Sequence, residues 1–184
     1  MSRVPTPADI AAAPAAAQPL LEGVQRQLGV TPNLYKLTSN SPAALQGLLG
    51  LTGALGKGRL DGRTRERLAL AVAEANGCSY CLAAHSYLGK DLAKLDDVEM
   101  IANRHGGSAD AKADAALRFA VRVVEARGHV SEAEVAAVKA AGYDDAQVVE
   151  IVAHVALNTM TNYINEAFKT EIDFPVAAPL AKAA

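Results

Sequence analysis

The sequence predicts an all-α protein, and three observations carry that prediction. Apolar residues fill 51% of the 184 positions, and much of that share is alanine, which with leucine favours helix. No stretch alternates apolar and polar residues with β-branched enrichment, the pattern of a half-buried strand. Helix starts and stops recur along the chain, with Ser, Thr or Asp before short apolar segments and glycine after them.

Taken in order, residues 1–18 form an arm that is proline-punctuated, small and weakly patterned. Such a segment is expected to be flexible or to dock on a neighbour. Residues 19–175 are expected to make a single helical domain, and 176–184 a C-terminal tail. Leu20 to Leu28 is the first helix and stops at Gly29. Thr31 and Pro32 give a cap followed by proline at the first helical position. Ser41 and Pro42 repeat the signal before ALQGLLGLTGAL, which ends at Gly56-Lys57-Gly58. Asp61 and Thr64 can open the next helix, which Gly77 stops. The segment around the cysteines opens another, predicted to end at Gly89. Asp97 to Arg104 is short and closes at Gly106-Gly107. Ser108 is predicted to cap a long helix to about Ala126. Ser131 with Glu134 makes a capping box for the next, ended by Gly142. Asp144 starts the last and longest helix, DAQVVEIVAHVALNTMTNYINEAF. The links are short, so consecutive helices should often run antiparallel.

Charge and length narrow the function. The net charge is −2, which marks neither a nucleic-acid binder nor a protein of anionic membranes. No apolar run approaches the roughly 18 residues of a membrane span. The N-terminus lacks the continuous apolar core of a signal peptide, so a cytoplasmic protein is expected. Aromatics are only 4% and tryptophan is absent. Alanine-rich helices build a thin core, and their apolar faces suit packing between subunits.

The chemistry concentrates in EANGCSYCLAAH, residues 74–85, which holds both cysteines of the chain. Two thiols three apart cannot staple a fold of this size. In a reducing compartment such a pair is catalytic or metal-binding. With Cys78 in the first turn of a helix, Cys81 and His85 follow at spacings of three and four, so all three share one face. A thiolate at a helix start is favoured by the exposed N–H groups, and this alone points to Cys78 as the more acidic thiol. A thiolate attacks peroxides and disulfides, and a sulfenic acid condenses with a neighbouring thiol. The group thus supplies a nucleophile, a resolving thiol and a base. A carboxylate to orient the base would complete it. Glu66 and Glu74, both on the preceding helix, are the two candidates, and spacing leaves the choice between them open.

Glu66, eleven residues, Cys78, two residues, Cys81, three residues and His85 resemble the E-x11-C-x2-C-x3-H signature of the alkylhydroperoxidase D (AhpD-like) family, within the carboxymuconolactone decarboxylase-like superfamily. The resemblance covers about Gly47 to Leu92. More weakly, NYINEAFKTEIDFP is similar to the tails of peroxidase-related members. The resemblance implies an AhpD-like helical bundle assembled into trimers or hexamers. It also implies hydroperoxide reduction through a Cys78–Cys81 dithiol/disulfide cycle. In that scheme Cys81 meets the peroxide, Cys78 resolves, and His85 with Glu66 relays protons. No cofactor is implied, and electrons would come from a thiol or lipoyl-type reductant. Tyr80 departs from the best-studied members, which carry histidine before the second cysteine.

Two other readings compete. Cys78, Cys81 and His85 with Glu66 or Glu74 could ligate zinc in a non-redox protein. The same fold could also serve a decarboxylase or isomerase of a small organic acid. Elsewhere, Glu74 is expected to cap or solvate, and His105 and His129 to be solvated. His154, Asn158 and Asn162 form a polar stripe on the last helix. It suits a hydrogen-bonded interface between helices or subunits better than a substrate-lining face.

Overall fold

The computed structural model describes residues 2–180. Nine α-helices and one short 3-10 turn, with no strand among the described residues, bear out the all-α expectation. After the turn at Ala15–Ala17 come α1 (Gln18–Leu28), α2 (Asn33–Thr38), α3 (Pro42–Leu55), α4 (Gly62–Ala75) and α5 (Ser79–Asp91). They are followed by α6 (Asp97–Arg104), α7 (Ala111–Glu125), α8 (Glu132–Ala140) and α9 (Asp145–Phe168).

Side-chain caps explain most starts. Ser41, Asp61, Ser131 and Asp144 each accept a hydrogen bond from the backbone N–H three residues on, as their sequence context suggests. Ser131–Glu134 is a complete capping box. Three boundaries differ from the sequence reading. Pro32 itself, not Thr31, is the residue before α2, which starts at Asn33 without a side-chain cap, and the Thr31 hydroxyl donates to Gln25 Oε1 instead. The cap of α7 is Asp110, which accepts from the N–H groups of Lys112 and Ala113. Ser108 instead donates to Glu99 at 2.5 Å. Gly89 does not end α5. It lies buried inside the helix, where a β-carbon would stand 3.4 Å from Met100 Sδ, so its smallness serves close packing rather than termination.

The centre of the molecule is α4, which packs against α5, α6, α7 and α9. Every residue from Arg67 to Ala73 is buried, as expected of a helix surrounded on all sides. The main core joins Leu68 and Val72 of α4 to Leu117 and Phe119 of α7 and Ile151 of α9. Arg67, the charge within this buried run, faces Glu99 at 2.9 Å. Glu99 in turn holds Asn103, Ser108 and the N–H of Ala109.

Residues 2–17 pack on their own chain. Ala13 and Ala17 are buried with Leu21 and Leu45, which gives the small residues of the arm an apolar partner. Arg3 N–H donates to the carbonyl of Phe168 at 2.7 Å, and Asn40 Nδ2 to that of Pro5 at 2.7 Å. The C-terminal segment beyond α9 is also tied down. Asp173 accepts from Tyr80 Oη at 2.7 Å and from the N–H of Asn33 at 2.8 Å. Arg104 donates to the carbonyl of Ala178 at 2.7 Å. No helix among the described residues is long and apolar enough to cross a membrane.

Candidate active site

The turn between α4 and α5 sets the positions of the two cysteines. Gly77, at φ 67°, takes the left-handed conformation that ends α4. Its N–H donates to Glu74 O and that of Cys78 to Ala73 O, the double closure of a Schellman motif. The chain therefore reverses at once, and α5 folds back along α4. Cys78 becomes the N-cap of α5, its sulfur accepting from the N–H of Cys81 at 3.4 Å. Both thiols are free and buried.

The reversal brings together residues nineteen apart in sequence. His85 Nδ1 lies 2.8 Å from Glu66 Oε2, with both side chains about one-fifth exposed, at 22% and 23%. Glu74 faces away and holds Arg104 Nε at 2.6 Å. Structure thus separates the two candidate carboxylates: Glu66 meets the imidazole, and Glu74 braces α6. Among the described residues no three His, Cys, Asp or Glu side chains gather as a metal-ligand set.

The two thiols differ sharply in acidity. Cys78 is pushed up, first because its S–H donates to Cys81, then by burial and by the charges of Cys81 and Glu166. Cys81 is brought down to about 6. The Cys78 hydrogen bond is the largest cause. Burial opposes it, and the charge of His85 and the amides of Asn165 and Asn162 assist. The helix-start expectation for Cys78 is thereby reversed. As the cap, Cys78 accepts only one backbone N–H, while Cys81 collects several donors. For His85, burial disfavours the charge, but Glu66, by charge and hydrogen bond, and Cys81 outweigh it and raise the pKa.

Sequence reasoning missed four participants. Asn165 Nδ2 donates to Cys81 Sγ at 3.3 Å. Asn76 Nδ2 donates to Asn162 Oδ1 at 2.9 Å. Glu166 accepts from the N–H of Ser79 at 3.3 Å, at the start of α5. Asp173 anchors Tyr80, whose ring meets Phe174 edge-on at 5.8 Å. Asn165 was within reach of the sequence, because it extends the polar stripe of α9 by one more step of three. His154, Asn158 and Asn162 of that stripe are all buried. Asn158 Nδ2 closes on the carbonyl of His154 at 2.8 Å, so it serves the helix itself. Burial, then the charge of Arg65, hold His154 down at about 4. His105 and His129 are exposed.

Fold and site define an all-helical protein with a buried dithiol beside a histidine–carboxylate pair. Residues 42–126, which contain Glu66, Cys78, Cys81 and His85, match the model of the carboxymuconolactone decarboxylase family. An uncharacterized peroxidase-related protein from Ralstonia eutropha JMP134, described as an alkylhydroperoxidase AhpD core, is 25% identical with a TM-score of 0.83, covering 94% of this chain and 92% of that one. An uncharacterized peroxidase-related protein from Silicibacter sp. TM1040 is 25% identical with a TM-score of 0.79, covering 92% and 91%. The debrominase Bmp8, as a cysteine-to-alanine variant in complex with 2,3,4-tribromopyrrole, shares the fold with a TM-score of 0.77, 20% identity and coverage of 94% of both chains. No curated protein sequence matches. Over residues 42–126 the chain matches the carboxymuconolactone decarboxylase family model, and over nearly its whole length its fold is that of the AhpD-like, peroxidase-related structures.

Proposed function

We propose that the protein is a thiol-dependent peroxidase that reduces hydroperoxides through a Cys78–Cys81 dithiol/disulfide cycle. The observation that carries this reading is the placement of two free thiols at one helix start, with Cys81 Sγ held by Asn165 at 3.3 Å and His85 held by Glu66 at 2.8 Å. Cys81, at about 6, is a thiolate at neutral pH, while Cys78 keeps its proton and points it at Cys81. A nucleophile and a resolving thiol need these two states.

Cys81 Sγ attacks the terminal oxygen of the hydroperoxide. The S–O bond forms, the O–O bond breaks, and the alkoxide leaves with a proton from His85. The alcohol is released, or water when the substrate is hydrogen peroxide. Cys78 then attacks the sulfenic acid on Cys81. The S–S bond forms, the S–O bond breaks, and the hydroxide leaves as water with the proton of the Cys78 thiol. Two electrons have passed from sulfur to oxygen. An external dithiol, of free-thiol or lipoyl type, returns them by thiol–disulfide exchange. The proton that Cys81 sheds on re-forming its thiolate restores the imidazolium. Glu66 supports the cycle by holding the charged imidazole, which favours proton donation to the alkoxide. No organic cofactor is needed, because the electrons reside on sulfur.

The apolar residues exposed along α9, Val149, Val152 and Tyr163, support self-association, and the family resemblance supports a trimer or hexamer. Steady-state peroxide consumption with dithiothreitol tests the cycle. Cys78→Ser and Cys81→Ser should each abolish turnover. A single variant that keeps full activity would refute the cycle.

A further inference from the structure

Two amide atoms beside Cys81 have no partner although they are buried. Asn162 is fully buried and its Oδ1 is taken by Asn76; its Nδ2 is near enough to Cys81 to favour the thiolate, yet it completes no hydrogen bond of its own. Asn165 is 2% exposed and its Nδ2 is given to Cys81 Sγ, yet its Oδ1 accepts from nothing. A buried polar atom left unpaired costs about 1–3 kcal/mol, so such atoms are rare unless something fills them. Here one is a free donor and one a free acceptor, both from α9 and both beside the reactive sulfur. Asn76 Nδ2 donates both to Thr159 Oγ1 at 3.3 Å and to Asn162 Oδ1 at 2.9 Å, which leaves the nitrogen of Asn162 as its unpaired amide atom.

A hydroperoxide asks for this pair. The oxygen that sulfur attacks carries a hydrogen and must donate it. The oxygen that leaves gathers negative charge and must accept a donor. We propose that Asn162 and Asn165 form the peroxide-binding cradle of the site. Asn165 Oδ1 accepts the O–H of the attacked oxygen, and Asn162 Nδ2 donates to the leaving oxygen. Because Asn165 Nδ2 already holds Cys81 Sγ, the oxygen of the same planar amide sets the attacked atom close to the sulfur. The S–O bond then forms as the O–O bond breaks, with Asn162 carrying charge until His85 delivers the proton. The ligand class is a hydroperoxide with its O–O–H end inward, and the inference rests on the peroxidase reading above.

The test compares two electrophiles on pre-reduced protein. Hydrogen peroxide needs the cradle, and iodoacetamide needs only the thiolate. Both second-order rates are measured at pH 7.5 for wild type, Asn162→Ala and the isosteric Asn162→Asp, which keeps an acceptor for Asn76 and removes the donor. The ratio of peroxide to iodoacetamide rates corrects each variant for its own thiolate fraction and its folded fraction. It should fall on the order of 10²-fold in both variants, the scale for losing one donor to a developing oxyanion. A ratio within a factor of about two of wild type in either folded variant overturns the cradle while leaving the peroxidase reading intact. A wild type that reacts with iodoacetamide but not with peroxide overturns both.

Discussion

Replacing Cys78 by alanine should make Cys81 a weaker acid, and the size of the change follows from the site. Cys81 falls from the ordinary 9.0 to about 6, and the S–H of Cys78 is the first cause. That whole fall is worth about 4 kcal/mol of preference for the thiolate. A hydrogen bond to a charged group contributes about 1.5–3 kcal/mol, so its loss should raise the titration midpoint by roughly one to two pH units. His85 and Asn165 remain in place, so the midpoint should stay below that of a free cysteine. At pH 7 the wild-type thiol is about nine-tenths thiolate, and the variant should react roughly two- to tenfold more slowly while nearly matching wild type at pH 9. Iodoacetamide alkylation followed from pH 5 to 9, with peptide mapping of the label, reads this directly. An unmoved midpoint in Cys78→Ala would refute the reasoning, as would wild-type labelling that falls on Cys78 before Cys81.

Three further outcomes follow. Glu66→Gln keeps the size of the side chain but removes the charge that sustains the His85 proton. Peroxide turnover should drop on the order of 10²-fold at pH 7–8, and an unchanged rate in stopped-flow assays would remove Glu66 from the mechanism. His154 sits at about 4 in the folded protein against 6.5 when free, so the unfolded chain binds the proton more readily. Its contribution to stability is full above the free value and is lost as pH falls from 6.5 through about 4, by up to about 3 kcal/mol. Urea unfolding of wild type and His154→Gln at pH 7 and pH 4.5 should show a smaller acid loss in the variant. Asp173→Ala leaves Tyr80 Oη and the N–H of Asn33 without their shared acceptor, worth about 1–3 kcal/mol locally. Tryptic cleavage after Lys169 should become at least several-fold faster while the melting temperature moves little. Equal cleavage rates would mean that the tail is held by its other contacts, such as the Arg104 bond to the carbonyl of Ala178.

Much of this molecule is legible in local sequence. Caps at Ser41, Asp61, Ser131 and Asp144 mark four helix starts because capping is a matter of three or four consecutive residues. Gly77 marks a stop for the same reason. Gly89 misleads because its role is set by Met100 and Leu95, which reach it only after the chain has folded. The spacing of Glu66, Cys78, Cys81 and His85 identifies the cluster. The choice of Glu66 over Glu74 needs the Schellman reversal at Gly77 and the distant Arg104. The acidity order of the thiols is also hidden from local reading. It depends on which sulfur donates to which, and on Asn165, eighty-four residues away. The arm shows the same limit, since Ala13 and Ala17 find in Leu21 and Leu45 a partner that composition does not announce.

The central claim is that one equivalent of peroxide converts the free Cys78 and Cys81 thiols into one intramolecular disulfide. Thiol titration of reduced, denatured protein before and after one equivalent of hydrogen peroxide, paired with intact mass, tests it most directly. The account predicts that both thiols disappear, that the mass falls by two hydrogens, and that dithiothreitol restores both. Retention of both thiols, or a gain of oxygen on one cysteine with the other still free, would contradict it.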